Sequence, residues 1–503
     1  MERIKALYAT LKQPEKKFLI TYLTAFHPKG ENKTLELLEL IEAPVELSTD
    51  EIAEKLYGDS KSKAFIMLKG RLYDKMLEAL MLSTNPANPS KDALKEQGFE
   101  KTELRKLLIY NFMLRRRGLF SLADEICLKG LKVSREFEYP DIELDFLGTL
   151  RTQYAKSHSD KYEQIIQEMD DAFRRYELDM ITSNTWNYYR NQFSLRSSID
   201  EARRYLEVAI PKFEENVMKL GSSSARYYLA LMKINYFDFT KQFDEGRKEI
   251  DVLLHLVHNS KRHNTSQGLG IPYTHLAVLE LNRFRLEEAL QAADLAAQYN
   301  KKNSPNFSIG LFTRAFILLH MGNVEGAEAQ IKALEENSMS AGGSSNWAIC
   351  NYVKACIAFI NKDYTLSWKF LQEVSGLNFD KAGWITGIKI FEIMVLIEKG
   401  DFDMLTLRLD SLRKHIQKHN SDERANLIYK LLIGQEKDGF TFANPVKKEE
   451  EILEELSNNQ PWELAGHETI RFEPWYKLKR SQPGISLEHT FKVSLMALPK
   501  MRA

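Results

Sequence analysis

His415 and His419, four residues apart in RKHIQKHN, have the spacing at which adjacent turns of a helix offer two imidazoles to one metal ion. No third ligand of the HExxH type accompanies them, so a metal centre is not expected there. HLVHNSKRH, residues 255 to 263, reads as a cationic helix end running into a loop. Three cysteines, Cys127, Cys350 and Cys356, form neither an even disulfide framework nor a zinc knuckle, since the only close pair is spaced C-x5-C. They read as small buried hydrophobes in a reducing compartment. The chain carries no phosphate-cradling GxxxxGK[ST], no GxGxxG after a strand and no GxSxG elbow. The expectation is a protein without catalytic residues, metal or cofactor, which acts by recognition.

Three sets of residues have the chemistry for recognition. In NTWNYYRNQF (184 to 193) Asn184, Asn187 and Asn191 fall at i, i+3 and i+7 on one helix face, where amides can hydrogen-bond an extended backbone or a carboxylate. Trp186, Tyr189 and Phe193 form the core stripe behind them. A second set lies in IGLFTRAFILL (309 to 319), NYVKACIAFI (351 to 360) and ITGIKIFEIMVLI (385 to 397), which are apolar nearly all round. A helix without a polar face is buried on every side. Something must therefore cover Phe312, Phe316, Tyr352 and Phe359, along with Ile390 and Met394, and either the chain or a partner can do so. The third set lies in STDEIAEKLYGDSKSKAFIMLKGRLYDKMLEAL (48 to 80), which reads as a helix-turn-helix. Ser48 and Glu51 make a capping box, Gly58 and Asp59 the turn, and a second helix starts near Ser62. Lys61, Lys63, Lys69 and Arg71 stand near its start, where a recognition helix meets DNA phosphates.

The elements that position these residues follow a period. The chain has 503 residues, 44% hydrophobic and 28% charged, with only 14 prolines and 24 glycines, a composition that favours long helices. Its 70 basic and 70 acidic residues cancel, so nothing in the net charge draws it to nucleic acid or acidic membranes. MERIKALYATLKQPEKKFLITYLTAF scatters charge through its apolar positions, and no run approaches the ~20 apolar residues of a membrane span, which makes a cytoplasmic protein the expectation. GNVEGA, ending at Ala327, has counterparts ending at Ala123, Ile165, Ala202, Gly246, Ala289, Ser367 and Leu405, with successive gaps of 42, 37, 44, 43, 38, 40 and 38 residues. Small residues also stand twelve positions upstream at Ala277, Ala315 and Ala355, so paired antiparallel helices can approach closely.

GNVEGAEAQIKAL and FRLEEALQAADLA (284 to 296) in particular resemble the tetratricopeptide repeat (TPR) superfamily. The units are longer than the usual ~34 residues and lack the characteristic tryptophan, so the array is TPR-like. The resemblance implies a right-handed superhelix of helical hairpins whose first helices line a groove for a protein or peptide partner. The fold expected is all-α: an N-terminal helical domain over 1–84, an array of about eight units over 99–435, and a C-terminal helix and basic tail over 440–503, with breaks at STNPANPS and EKDGFTFANPV. TIRFEPWYKLK (469 to 479) and ISLEHTFKVSL (485 to 495) alternate about a Pro-Gly turn, which suggests a β-hairpin docked on the apolar end of the array, as a cap or in its groove; Leu487, Phe491, Leu495 and Leu498 also share a face, so a helix over 487–498 is the other reading. The role this predicts is a scaffold that binds a protein or peptide. The alternative is a nucleic-acid-binding regulator that uses the helix-turn-helix.

Overall fold

The computed structural model describes residues 1–25, 32–42, 47–83, 99–155, 159–196, 199–302, 304–341, 344–374, 384–419, 423–459 and 468–481. Twenty-three helices and no strand occur among these described residues, so the protein is all-α. The chain divides into two compact units, Met1–Phe99 and Glu100–Ala503.

The first unit comprises α1 (Glu2–Thr10), α2 (Gln13–Ala25), α3 (Lys33–Glu42), α4 (Thr49–Tyr57) and α5 (Lys63–Ser83). Helix α5 is its spine and touches each of the other four. Phe65, Leu68, Leu72 and Met76 of α5 recur at helical spacing and are buried with Leu19, Leu37 and Ile52. The capping box forms as the sequence predicts. Glu51 N–H donates to Ser48 Oγ at 3.3 Å, and Ser48 N–H to the Glu51 carboxylate at 2.7 Å. Gly58 closes α4 at φ 65°, a conformation that costs a residue with Cβ more.

The second unit begins with α6 (Phe99–Arg116), α7 (Phe120–Glu136), α8 (Pro140–Tyr154), α9 (Ser159–Arg196), α10 (Ile199–Leu220), α11 (Ser223–Phe239) and α12 (Phe243–Asn259). It continues with α13 (Ser266–Asn282), α14 (Leu286–Tyr299), α15 (Pro305–His320), α16 (Val324–Ala341), α17 (Ser344–Ile360) and α18 (Tyr364–Gln372). Last come α19 (Trp384–Lys399), α20 (Phe402–His419), α21 (Glu423–Glu436), α22 (Glu449–Asn458) and α23 (Phe472–Ser481). Along the series from α7 to α22 each helix packs on the next. In addition α9 touches α11, α13 touches α15, and α15 touches α17.

One turn geometry recurs through this series. Gly118, Lys241, Phe284, Gly322, Lys362 and Gly400 all take positive φ, between 58° and 81°. The next residue's N–H bonds back five residues in each case, as Asn323 does to the Leu318 carbonyl at 2.8 Å and Arg285 to that of Glu280 at 2.9 Å. This is the Schellman closure of a helix. Five residues after each turn residue comes Ala123, Gly246, Ala289, Ala327, Ser367 or Leu405, and all six are buried. Of the twelve-residue pairs, Ser367 Oγ donates to the Ala355 carbonyl at 2.8 Å, Ala277 shares a core with Ala289, and Ala315 shares one with Ala327; at the same spacing the Asn111 amide donates to the Ala123 carbonyl. Gly326 is small for a local reason. A Cβ there would lie 2.7 Å from the side chain of Asn323, whose Oδ1 caps the Gly326 N–H.

Two expectations are corrected. The sequence reads 184–193 as one helix of a repeat unit, but α9 runs unbroken for 38 residues. No glycine or proline interrupts it, and the hydroxyls at 182 and 183 bond back to their own helix, Thr182 Oγ1 to the Leu178 carbonyl at 2.8 Å and Ser183 Oγ to that of Met180 at 3.1 Å.

The other correction concerns 469–479, expected as the first strand of a hairpin and found to be helical from Phe472. Pro474 falls in the first turn of α23, where its missing N–H is no loss. Glu473 at the start and Lys479 and Arg480 at the end suit the helix dipole. Phe472, Trp475 and Tyr476 then share one face and are fully buried. The second limb, 485–495, lies outside the described residues.

The docking expectation holds for this helix. Phe472, Trp475 and Tyr476 enter the same core as Tyr352 and Phe359 of α17 and Ile390, Phe391 and Met394 of α19. Tyr352 and Phe359, expected as partner contacts, are each only 1% exposed, so the chain itself covers them. Polar contacts fix the helix in place. Arg424 of α21 holds both Glu468 and Glu473 at 2.7 Å, and Trp475 Nε1 donates to Glu398 of α19 at 2.6 Å. Tyr476 Oη donates to Glu449 of α22 and accepts from Gln435, both at 2.9 Å.

Candidate functional site

Helix α9 presents a long mixed surface. At ~1.5 Å per residue it is about 57 Å long. Ile166, Phe173 and Met180 recur every seven residues along it, with Ile181 and Tyr188 one position to the side, and each is at least 41% exposed. Asn187 is the next member of the seven-residue series, and Asn184 and Asn191 border it; all three asparagines are exposed. Opposite them Leu178, Trp186 and Tyr189 are buried in one core with side chains of α10, α11 and α12. The sequence identifies the amides. The apolar stripe beside them escapes it, because Ile166, Phe173 and Met180 also fit a core pattern.

A charged cleft of about 480 Å³ opens on another side of α9, toward the α7–α8 and α10–α11 turns. Glu143, 4% exposed, accepts from Arg135 and Arg175, each at 2.8 Å, and Arg135 also reaches Glu168 at 2.6 Å. Ser223 N–H, at the start of α11, donates to Glu138 at 3.0 Å. Burial pushes the Asp179 carboxyl up, against the opposing pull of Ser222 and Arg262. Arg262 Nη1 spans Asp179, at 3.2 Å, and the Glu138 carbonyl, at 2.7 Å. These charges join α7, α8, α9 and α11 to the loop before α13. Ser222, the hydroxyl in the lining, is engaged as the cap of α11 and as a donor to Asp179.

Next to Arg262, the His263 ring lies on that of Tyr227, with centroids 4.8 Å apart and planes 3° from parallel. Burial first, and then Arg262, push this imidazole down to about 3. An unfolded histidine titrates near ~6.5, so its proton uptake favours unfolding. The associated stability is complete above that pH and is lost as pH falls toward 3. His263→Phe keeps the stacked ring and should remove about 2 kcal/mol of the stability loss between pH 7.5 and 5, read from urea melts at the two pH values. An identical pH dependence in the variant contradicts this.

The remaining expected site residues scatter. Phe312 and Phe316 are half-buried and meet edge to face at 4.6 Å. On α5, Lys63 and Arg71 are about 80° apart, while Lys69 is about 240° round from Lys63 and lies over the Phe65 ring. Lys61 sits in the preceding turn. The four basic residues therefore share no single face. Among the described residues no group of three His, Cys, Asp or Glu could hold a metal, and the His419 side chain lies outside them. Cys127, Cys350 and Cys356 are buried, and burial raises all three thiols, to about 12 for Cys127 and about 11 for Cys350. None is poised as a thiolate. No described helix is long and apolar enough to cross a membrane. Compared with known proteins, the chain matches no family model and no curated sequence.

Proposed function

We propose that the chain is a non-catalytic, TPR-like scaffold of the cytoplasm, with its second unit wound as a right-handed superhelix of antiparallel hairpins and a protein or peptide partner held on the exposed face of α9. The constant five-residue step from turn to small residue, the serial packing of neighbours and the contacts between alternate helices support the repeat architecture. The observation that carries the binding role is the α9 face itself, where Phe173, Met180, Ile181 and Tyr188 alternate with Asn184, Asn187 and Asn191. Apolar anchors beside amides suit a peptide, since the anchors supply buried area and the amides pair its backbone.

Site-specific photocrosslinking in the native cell tests this. A benzophenone side chain at Asn187 or Tyr188 should give one discrete adduct, and at exposed Lys248 of α12 it should give none. Exchanging Phe173 and Met180 for aspartate should then abolish the adduct. Equal labelling at all three positions, or no adduct at 187 and 188, refutes the reading.

A further inference from the structure

The exposed face of α9 carries two rows of side chains with one spacing. Ile166, Phe173 and Met180 make an apolar row, and three residues before each stands an exposed carboxylate, Glu163, Asp170 or Glu177. At about 100° per residue the two rows run side by side, about 60° apart. Asp170 is paired with Arg174 at 2.8 Å on the surface. Among the described residues no cation pairs with Glu163 or Glu177. The strip therefore sets three carboxylates against one arginine. Further along, Asn184 and Asn191 take the carboxylate positions and Asn187 the apolar one.

We propose that the partner on this face is a basic amphipathic helix, an inference that rests on the binding role of α9 proposed above. The spacing specifies a helix. Members of one row stand seven residues, or about 10.5 Å, apart, which is the rise a second helix makes over its own seven-residue step. An extended peptide presents one face every ~6.8 Å and falls out of step. Rows of this kind drift only ~20° per repeat, and a helix crossing at about 20° stays on them. The charge specifies a basic helix. With its apolar side chains on Ile166, Phe173 and Met180, such a helix brings flanking lysines or arginines onto the carboxylate row. The three asparagines lie at the end of the strip, where amides can pair the backbone groups that a helix terminus leaves open. A second copy of α9 is a poorer match, because it brings three more carboxylates to a strip already short of cations. Nucleic acid and acidic membranes are repelled by the same row.

The test uses the full chain and two labelled helical peptides of about 21 residues, one built of leucine and lysine heptads and the other with glutamate at every lysine. By fluorescence anisotropy the lysine peptide should bind at least tenfold more tightly. Glu163→Lys combined with Glu177→Lys should reverse that order, and binding of the glutamate peptide then shows that the variant keeps its fold. Phe173→Asp with Met180→Asp should weaken the lysine peptide at least tenfold. In the cell, the double lysine variant should lose the photoadduct formed at Asn187. Peptides bound alike by the wild-type chain, or an order unchanged in the double lysine variant, overturn the proposal. An adduct that survives the two lysines also overturns it while leaving α9 as a binding face, whereas a wild-type chain that forms no adduct refutes both.

Discussion

Trp475→Ala is expected to open the C-terminal end of the second unit. The indole is fully buried among Phe442, Phe472 and the α19 side chains, and its Nε1 donates to Glu398. Truncating a buried tryptophan costs about 3–5 kcal/mol, and here it also strips a donor from a carboxylate whose other partner is Lys479 at 2.9 Å. An array joined mainly through neighbours responds locally. Urea unfolding should split into two steps, an early one for the α17–α23 core and a later one for the remainder. Binding of a hydrophobic dye should rise as Tyr352, Phe359, Ile390 and Met394 become accessible. Trp475→Phe keeps most of the packing and should lose only about 1.5–3 kcal/mol, for the bond to a charged acceptor. A single transition at the wild-type midpoint in Trp475→Ala would show that α23 is not needed to close this core.

The second large effect lies at Arg424. Burial disfavours its charge, but Glu468 and Glu473 outweigh burial and hold the guanidinium above its usual range. Both carboxylates are buried, 6% and 5% exposed. Arg424→Met leaves them without this partner, and breaking such a group on one side costs about 3–5 kcal/mol. Changing Glu468 and Glu473 to glutamine in the same chain should recover most of that loss, because the penalty belongs to the stranded charge and not to the missing contact. Chemical denaturation of the single and triple variants measures both numbers. If the triple variant is no better than the single one, Arg424 acts through packing.

Much of the architecture was legible in the sequence. Sparse glycine and proline give long helices, and the small residues that mark the period are buried as the spacing requires. Gly118, Gly322 and Gly400 announce their turns, because glycine reaches positive φ at little cost. Lys241, Phe284 and Lys362 do the same work with side chains that carry no such signal, and tertiary packing holds them there. Residues 184–193 read as a helix of one repeat unit, and nothing in their own sequence says that they continue a longer helix. Inside α9 the Thr182 and Ser183 hydroxyls bond their own helix. The tail was ambiguous for another reason. Phe472, Trp475, Tyr476 and Leu478 satisfy alternation and helical periodicity almost equally well, and the apolar surface of α17 and α19 decides between them. The cleft was invisible, since its charges come from positions as far apart as Arg135 and Arg262.

The constant step between turn and buried small residue also limits how this molecule can change length. Removing one residue from that step would swing the small side chain about 100° off its contact, so viable insertions and deletions come as whole hairpins. With α23 packed over α17, α19 and α21, an extra module stacking on those helices would first have to displace α23.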